Sequence, residues 1–234
     1  MKKQFILGAL LFLSLFSISC TNEDTHIENE NNLAQTPEAM AQIDTSNYGI
    51  YKGVFIGSSG TVVVNVNNNN AITATLVIDG VMYLFTATQT IEENQVTEIN
   101  FVNGNDSFTF GVAANGTSPA FTNLAITGHS NAAVIIVKEI STTLVKLYEG
   151  TFEGDDLGTF NAIIYENILE GLGYSTLANV GFFANGTVVN NEIAAGNAST
   201  GAIFSGSVNG DAISGIWSNN QSNNTGNWTG ERTY

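Results

Sequence analysis

From Tyr48 onward, short runs of β-branched and aromatic residues alternate with small or polar ones, and turn residues interrupt them about every eight to twelve positions. This rhythm predicts an all-β body of about fourteen antiparallel strands joined as hairpin meanders. No segment carries a convincing helical stripe; Asn167 to Leu172 offers one or two turns at most. Asp79-Gly80, Asn103-Gly104, Asn115-Gly116, Asn185-Gly186 and Asn209-Gly210 are the dipeptides that tight hairpins prefer, because they accept positive φ.

Two hairpins can be read for register. A two-residue turn at Asn209-Gly210 sets Gly206 against Ile213 and Phe204 against Gly215. Phe204, Gly206, Val208, Ile213, Gly215 and Trp217 then share one face, while Ser205, Ser207, Ala212 and Ser214 share the other. Glycines facing large side chains suit a strongly curved sheet, which favours a barrel and places Trp217 over Gly206 and Gly215. The Asp79-Gly80 hairpin pairs Ile78 with Val81, Leu76 with Tyr83 and Ala74 with Phe85. Its other face carries Val77, Met82 and Leu84, so the ribbon is expected to be covered on both sides.

Tyr51-Lys52-Gly53-Val54-Phe55-Ile56-Gly57 returns 97 positions later as Tyr148-Glu149-Gly150-Thr151-Phe152-Glu153-Gly154. Each copy is followed by a Gly-Thr pair, Gly60-Thr61 and Gly158-Thr159, and an echo links the stretch from Phe108 with that from Phe204. The repeat predicts two tandem modules, 47–146 and 147–234, each a small barrel-like meander of about seven strands. One larger β-structure with internal duplication is the alternative. The second copy, extended through Leu157-Gly158 to Phe160, and the closing Gly226-x-Trp228-x-Gly230 resemble the barrel domains of transferrin-binding surface lipoproteins. That resemblance implies a barrel protein that captures a protein or small ligand, and it carries no binding residue across.

Ahead of the body stands a different kind of sequence. Lys2-Lys3, an apolar run from Phe5 to Phe16 and Ser17-Ile18-Ser19-Cys20 make up residues 1–19 and the first residue after them. The run is too short to span a bilayer comfortably and reads as an export signal. It resembles a bacterial lipoprotein signal in which Cys20, the chain's one cysteine, becomes lipidated, although Ser17 stands where the usual motif has leucine. Residues 20–46 are polar and acidic, without a steady period, and predict a disordered tether. Glu23-Asp24 after the cysteine resembles the surface-export signal of Bacteroidota lipoproteins. Together these features place the protein on the outer membrane, on the outward face, held through a lipid on Cys20.

Charge narrows the partners. Six Lys+Arg stand against 21 Asp+Glu, a net charge of −15, so the chain has no means of holding a phosphate backbone and nucleic acid is excluded as a partner. Candidate chemistry is sparse. The body has no cysteine and one histidine, His129, in a Gly128-His129-Ser130 stretch that lacks the helix and second histidine of a nucleophile elbow. Glu149, Glu153, Asp155 and Asp156 cluster at the second module's start. Glu153, Asp155 and Asp156 are weak candidates for Ca²⁺, but they lack the spacing of a dedicated loop. No cofactor motif is present.

Trp217 and Trp228, on successive terminal strands beside the loop Asn219-Asn220-Gln221-Ser222-Asn223-Asn224, offer stacking surfaces for a ligand. Tyr174 joins them from Asn167 to Ala178, a stretch that breaks the hairpin rhythm and reads as an irregular binding loop. The sequence therefore reads as a lipid-anchored, non-catalytic binding module for an extracellular protein or glycan. The alternative is a structural or envelope-assembly lipoprotein that contacts other outer-membrane proteins; an enzyme is disfavoured.

Overall fold

The structure is a computed structural model, and it describes residues 33–55, 60–130 and 132–234. Cys20, the predicted signal and the first part of the predicted tether lie outside the described residues. Apart from a 3₁₀ turn at Ala41–Ile43, the described chain is all-β, with sixteen strands where the pattern predicted about fourteen. The first half contains β1 (Gly49–Phe55), β2 (Gly60–Val66), β3 (Ile72–Ile78), β4 (Val81–Thr86), β5 (Thr97–Asn103), β6 (Asp106–Val112), β7 (Ala120–Ala125) and β8 (Val134–Glu139). The second contains β9 (Lys146–Gly154), β10 (Gly158–Tyr165), β11 (Ile168–Ser175), β12 (Val180–Val189), β13 (Glu192–Ala198), β14 (Ile203–Asn209), β15 (Ala212–Asn219) and β16 (Asn224–Arg232).

The two halves are built on one plan. Strands β9 to β16 close into an eight-stranded antiparallel barrel in which β9 pairs with both β10 and β16. In the first half β1 likewise pairs with both β2 and β8, so that meander also returns on itself. Its ladder, however, breaks into a five-stranded sheet, β4-β3-β2-β1-β8, and a three-stranded sheet, β5-β6-β7. Each copy of the sequence repeat starts its half, on β1 and β9, and the second echo falls on the sixth strand of each, β6 and β14.

Side-chain volume separates the halves. The interior of the first is filled by one cluster in which Phe108 stacks on Phe101 and Phe121, at 5.0 and 4.4 Å between ring centroids, and Tyr51 meets Phe110 at 4.9 Å. The barrel interior carries many glycines and alanines instead, and it is not filled at one end.

Turn chemistry explains where the expected registers held. The Asp79-Gly80 hairpin pairs as predicted, with positive φ at both central residues, as a type I′ turn requires. The β14–β15 hairpin is offset: Asn209 pairs with Ala212, Val208 with Ile213 and Phe204 with Trp217. Gly210, with φ of +64°, takes the first central position and Asp211 the second, the placing of glycine in a type II′ turn. Moving the turn by one residue shifts every pair by two, so the inward and outward faces survive. Asn185-Gly186 makes no turn at all. It lies within β12 at a register shift, and the reversal comes at Asn190 and Asn191, both with positive φ. Nor is the stretch from Asn167 an irregular loop, since Ile168–Ser175 is the regular strand β11.

Two expectations about cover are corrected. The outer face of the β3–β4 ribbon is open, with Met82 69% and Leu84 58% exposed, because β4 is the edge of its sheet. The strand buried on both faces is β1. Tyr51 and Phe55 face the first core, while Val54 packs with Val145, Leu147 and Ile163 between the two halves. The tether, predicted to run to Ser46, gives way to packed chain well before that residue. Ile43 is buried, and the backbone carbonyls of Ile43, Asp44 and Ser46 all accept from Lys138 Nζ. Burial pulls the Lys138 ammonium down to about 8, despite the opposing charges of Asp44 and Glu93. Three carbonyl acceptors, a buried isoleucine and an Asp44–Ser141 contact at 2.7 Å give this polar segment the partners its composition did not advertise.

Candidate functional site

Alternation along the barrel strands sends one set of residues inward. The inward register of β9 reads Tyr148, Gly150, Phe152 and Gly154, that of β10 Gly158, Phe160, Ala162 and Ile164, and that of β16 Gly226, Trp228 and Gly230. Except for Tyr148, which pairs with Ala162 and Arg232, every large aromatic on this interior face has a glycine directly across the ladder. Phe152 pairs with Gly158, Phe160 with Gly150 and Gly173, Phe182 with Gly173, Phe204 with Gly196, Trp217 with Gly226, and Trp228 with Gly215. The rings lie flat over that bare backbone: a Cβ on Gly173 would sit 2.3 Å from the Phe182 ring, and one on Gly196 2.3 Å from Phe204. Laying rings along the wall, rather than pointing them at the axis, lets the sheet curl tightly and leaves space at the centre.

That space is a cavity of about 270 Å³, lined by all six of those aromatics together with Ala162, Leu169, Ala184, Ala198, Ala202 and Ile213. The rings meet edge to face, Phe152 with Phe182 at 5.7 Å and with Trp217 at 6.2 Å, and Trp228 with Phe160 at 5.9 Å and Phe204 at 6.2 Å. Buried Ile164, Val188, Ile193 and Tyr148 belong to the same core and form the opposite, filled end. Burial pushes the Tyr148 hydroxyl up to about 12, with Arg232 opposing the shift. The open end is framed by the β9–β10, β11–β12, β13–β14 and β15–β16 turns, which bring Asp156, Ser175, Thr200, Asn219, Ser222 and Asn224 to the mouth.

The polar groups of the mouth are largely engaged with one another. Asp156 Oδ1 accepts from the Leu157 amide at 2.7 Å and from Ser175 Oγ at 2.9 Å. Asn219 Nδ2 donates to the Thr200 carbonyl at 3.2 Å, and its Oδ1 accepts from the Gln221 amide at 3.0 Å. Both indoles are spoken for as well: Trp217 Nε1 donates to the Glu153 carbonyl and Trp228 Nε1 to the Ile216 carbonyl, each at 3.2 Å.

Of the residues expected at a binding site, the fold brings Trp217, Trp228 and the Asn-rich loop to one cavity. Their roles exchange, however: Trp228, only 6% exposed, covers Gly206 and Gly215, whereas Trp217 lies over Gly226. Tyr174 is not part of the cavity. It falls between inward-facing Gly173 and Ser175, so it points outward, where its hydroxyl donates to Asn179 Oδ1. The acidic cluster does not converge either. Asp155 Oδ2 accepts from the Thr225 amide at 2.9 Å, Asp156 turns to Ser175, and Glu153 has the outward register of β9. Among the described residues no group of three His, Cys, Asp or Glu side chains is placed to hold a metal ion. His129 sits in a turn of the first half, its Nε2 3.9 Å from Asp79 Oδ2.

Phe182 and Phe204 are wall residues to which no site role was assigned from sequence. The available signal was the pairing rule itself, an aromatic set against a glycine on the neighbouring strand, which needs the register to be visible. On β9 and β14 to β16 the outward register is mostly polar, with Thr151 and Glu153, Ser205 and Ser207, Ser214 and Ser218, Asn227 and Thr229, and with Ile203 and Ile216 exposed among them. An apolar interior is the inverse of the polar lumen of a channel-forming membrane barrel. Among the described residues no helix is long and apolar enough to cross a membrane.

No family model matches the chain, and no curated protein matches it. Among solved structures it is similar to one described as the crystal structure of a surface lipoprotein, at 8% identity and a TM-score of 0.28. The similarity covers 79% of this chain and 98% of that one, and at this TM-score it bears on neither fold nor role.

Proposed function

We propose that this protein is a lipid-anchored envelope lipoprotein whose C-terminal barrel is a non-catalytic binding module. The observation that carries the reading is the aromatic-walled cavity open at one end of an otherwise filled barrel. A packed core leaves few voids larger than a water molecule, so a void of this size that reaches the surface calls for an occupant. Among the described residues only one carboxylate, Asp156, and no histidine lines it, so two acid–base groups do not converge there. Binding without turnover is what such a wall can offer.

The anchor reading rests on Cys20 and on the polar residues that follow it. Replacing Cys20 with serine is expected to move the protein from the membrane fraction to the soluble fraction of disrupted cells. Protease added to intact cells is expected to remove the wild-type protein while sparing a periplasmic control. Protection, with cleavage restored on lysis, would turn the protein inward.

That result would favour the second reading, an envelope-assembly lipoprotein, for which the open Met82 and Leu84 face of the first half is the supporting feature. Binding itself is tested by following the two indole N–H resonances of the full chain during titration with small apolar molecules and oligosaccharides. At least one ligand is expected to shift the Trp217 resonance and to be recovered unchanged. A ligand recovered as product would overturn the non-catalytic reading, and a panel without any shift would overturn binding at the mouth.

A further inference from the structure

We propose that the barrel cavity takes a small, predominantly apolar molecule without negative charge, inserted through the mouth with its polar end outward. The inference rests on the reading of the barrel as a binding module and adds the chemistry of what is bound. Size sets the first limit: about 270 Å³ lies at the small end of ligand cavities, enough for a compact ring system or a short chain and too little for a folded partner.

Wall chemistry sets the second. The deep wall is aromatic and aliphatic, and its two N–H donors are already given to the Glu153 and Ile216 carbonyls. A sugar lowered into it would stack on an indole but leave its hydroxyls unpaired, each at a cost of about 1–3 kcal/mol. An apolar ring loses nothing there and gains edge and face contacts with six aromatics. Polar side chains appear only at the mouth, so a ligand with one polar end has a single favourable orientation.

Charge sets the third limit. Of the cations whose side chains are placed, Lys52, Lys138, Lys146 and Arg232, none lines the cavity, whereas Asp156 does, in a chain of net charge −15. A carboxylate or sulfonate would therefore meet repulsion with no counter-ion, while an amine would be tolerated by the ring faces. The lip is consistent with apolar traffic: Leu157 and Leu177, on two of the four turns that frame the mouth, are 45% and 64% exposed.

The test uses the full chain carrying Cys20→Ser, which keeps detergent out of the preparation, and two dyes that share one ring frame. N-phenyl-1-naphthylamine is neutral; 8-anilinonaphthalene-1-sulfonate adds a sulfonate. The neutral dye is expected to bind with one-to-one saturation and at least about tenfold more tightly than the sulfonate, equivalent to about 1.4 kcal/mol. Ala202→Phe, which places a ring in the lining, is expected to abolish binding, and Trp217→Ala to weaken it, both with an unchanged far-ultraviolet spectrum. Should Ala202→Phe fail to fold, Trp217→Ala alone carries the mapping.

Equal or tighter binding of the sulfonate would overturn the proposal, as would binding that survives in both folded variants. A shift of the Trp217 indole by maltose but not by the neutral dye would also overturn it, while leaving the binding-module reading in place. The absence of any shift with either would overturn both.

Discussion

Replacing Lys52 with methionine is expected to destabilise the fold by about 3–5 kcal/mol, the cost of leaving a buried charge without its partner. The Lys52 ammonium is fully enclosed on β1. It lies 2.7 Å from Glu139 Oε2 and 2.9 Å from Glu38 Oε2, with the Tyr234 ring 4.9 Å away. Glu139 is equally enclosed, and its remaining partners are the amides of Glu38 at 2.7 Å and Val145 at 2.9 Å. Two amides do not replace a counter-ion, so the carboxylate of the variant must stay charged and unpaired or take up a proton. The cluster joins the segment before β1, the end of β8, the linker to β9 and the C-terminal residue, so its loss should loosen all four. A guanidinium titration measures the cost. The double variant Lys52→Met with Glu139→Leu is expected to recover most of it, because the pair costs desolvation as well as giving attraction. A single-variant loss below about 1 kcal/mol would contradict the assignment.

Trp228→Ala is expected to cost a similar amount, about 3–5 kcal/mol, because it removes the most deeply buried of the six aromatics that line the cavity. Trp228 covers the backbone of Gly206 and Gly215, meets Phe160 and Phe204 edge-on, and donates its N–H to the Ile216 carbonyl. Alanine leaves two bare glycine strands facing a widened void. Trp217→Ala, nearer the mouth, is expected to cost less than half as much and to act chiefly on ligand. Thermal unfolding of the two variants, followed by circular dichroism, separates a core tryptophan from a wall tryptophan; equal losses would erase the distinction.

Particular residues show how far the sequence reaches. The alternation of Phe204, Gly206 and Val208 against Ser205 and Ser207 is enough to place a curved sheet with an apolar inside, because side-chain direction has a strict period of two. The same periodicity tolerated a wrong turn position at Asn209-Gly210, since a shift of two residues leaves the faces unchanged. Asn185-Gly186 misled because the dipeptide states only that the backbone is permissive there, and β12 uses that glycine for a close approach to Gly196 rather than for a turn. The cavity was half legible. Trp217 and Trp228 stood out by rarity, but which glycine each covers depends on cross-strand register. Tyr174 was lost because a glycine-rich strand and a glycine-rich loop look alike until neighbouring aromatics are set against the glycines. The Lys52–Glu139–Glu38 cluster was out of reach, since its members lie far apart in sequence and no local pattern marks them.

The central claim, that this barrel keeps an open apolar cavity, is tested most directly by a crystal structure of the chain under xenon pressure. Xenon enters apolar voids without needing hydrogen bonds, so it reports the space independently of any ligand. Xenon density is expected inside the barrel, among Phe152, Phe204 and Trp217. A barrel free of xenon, with its aromatic rings collapsed across the axis, would contradict the claim.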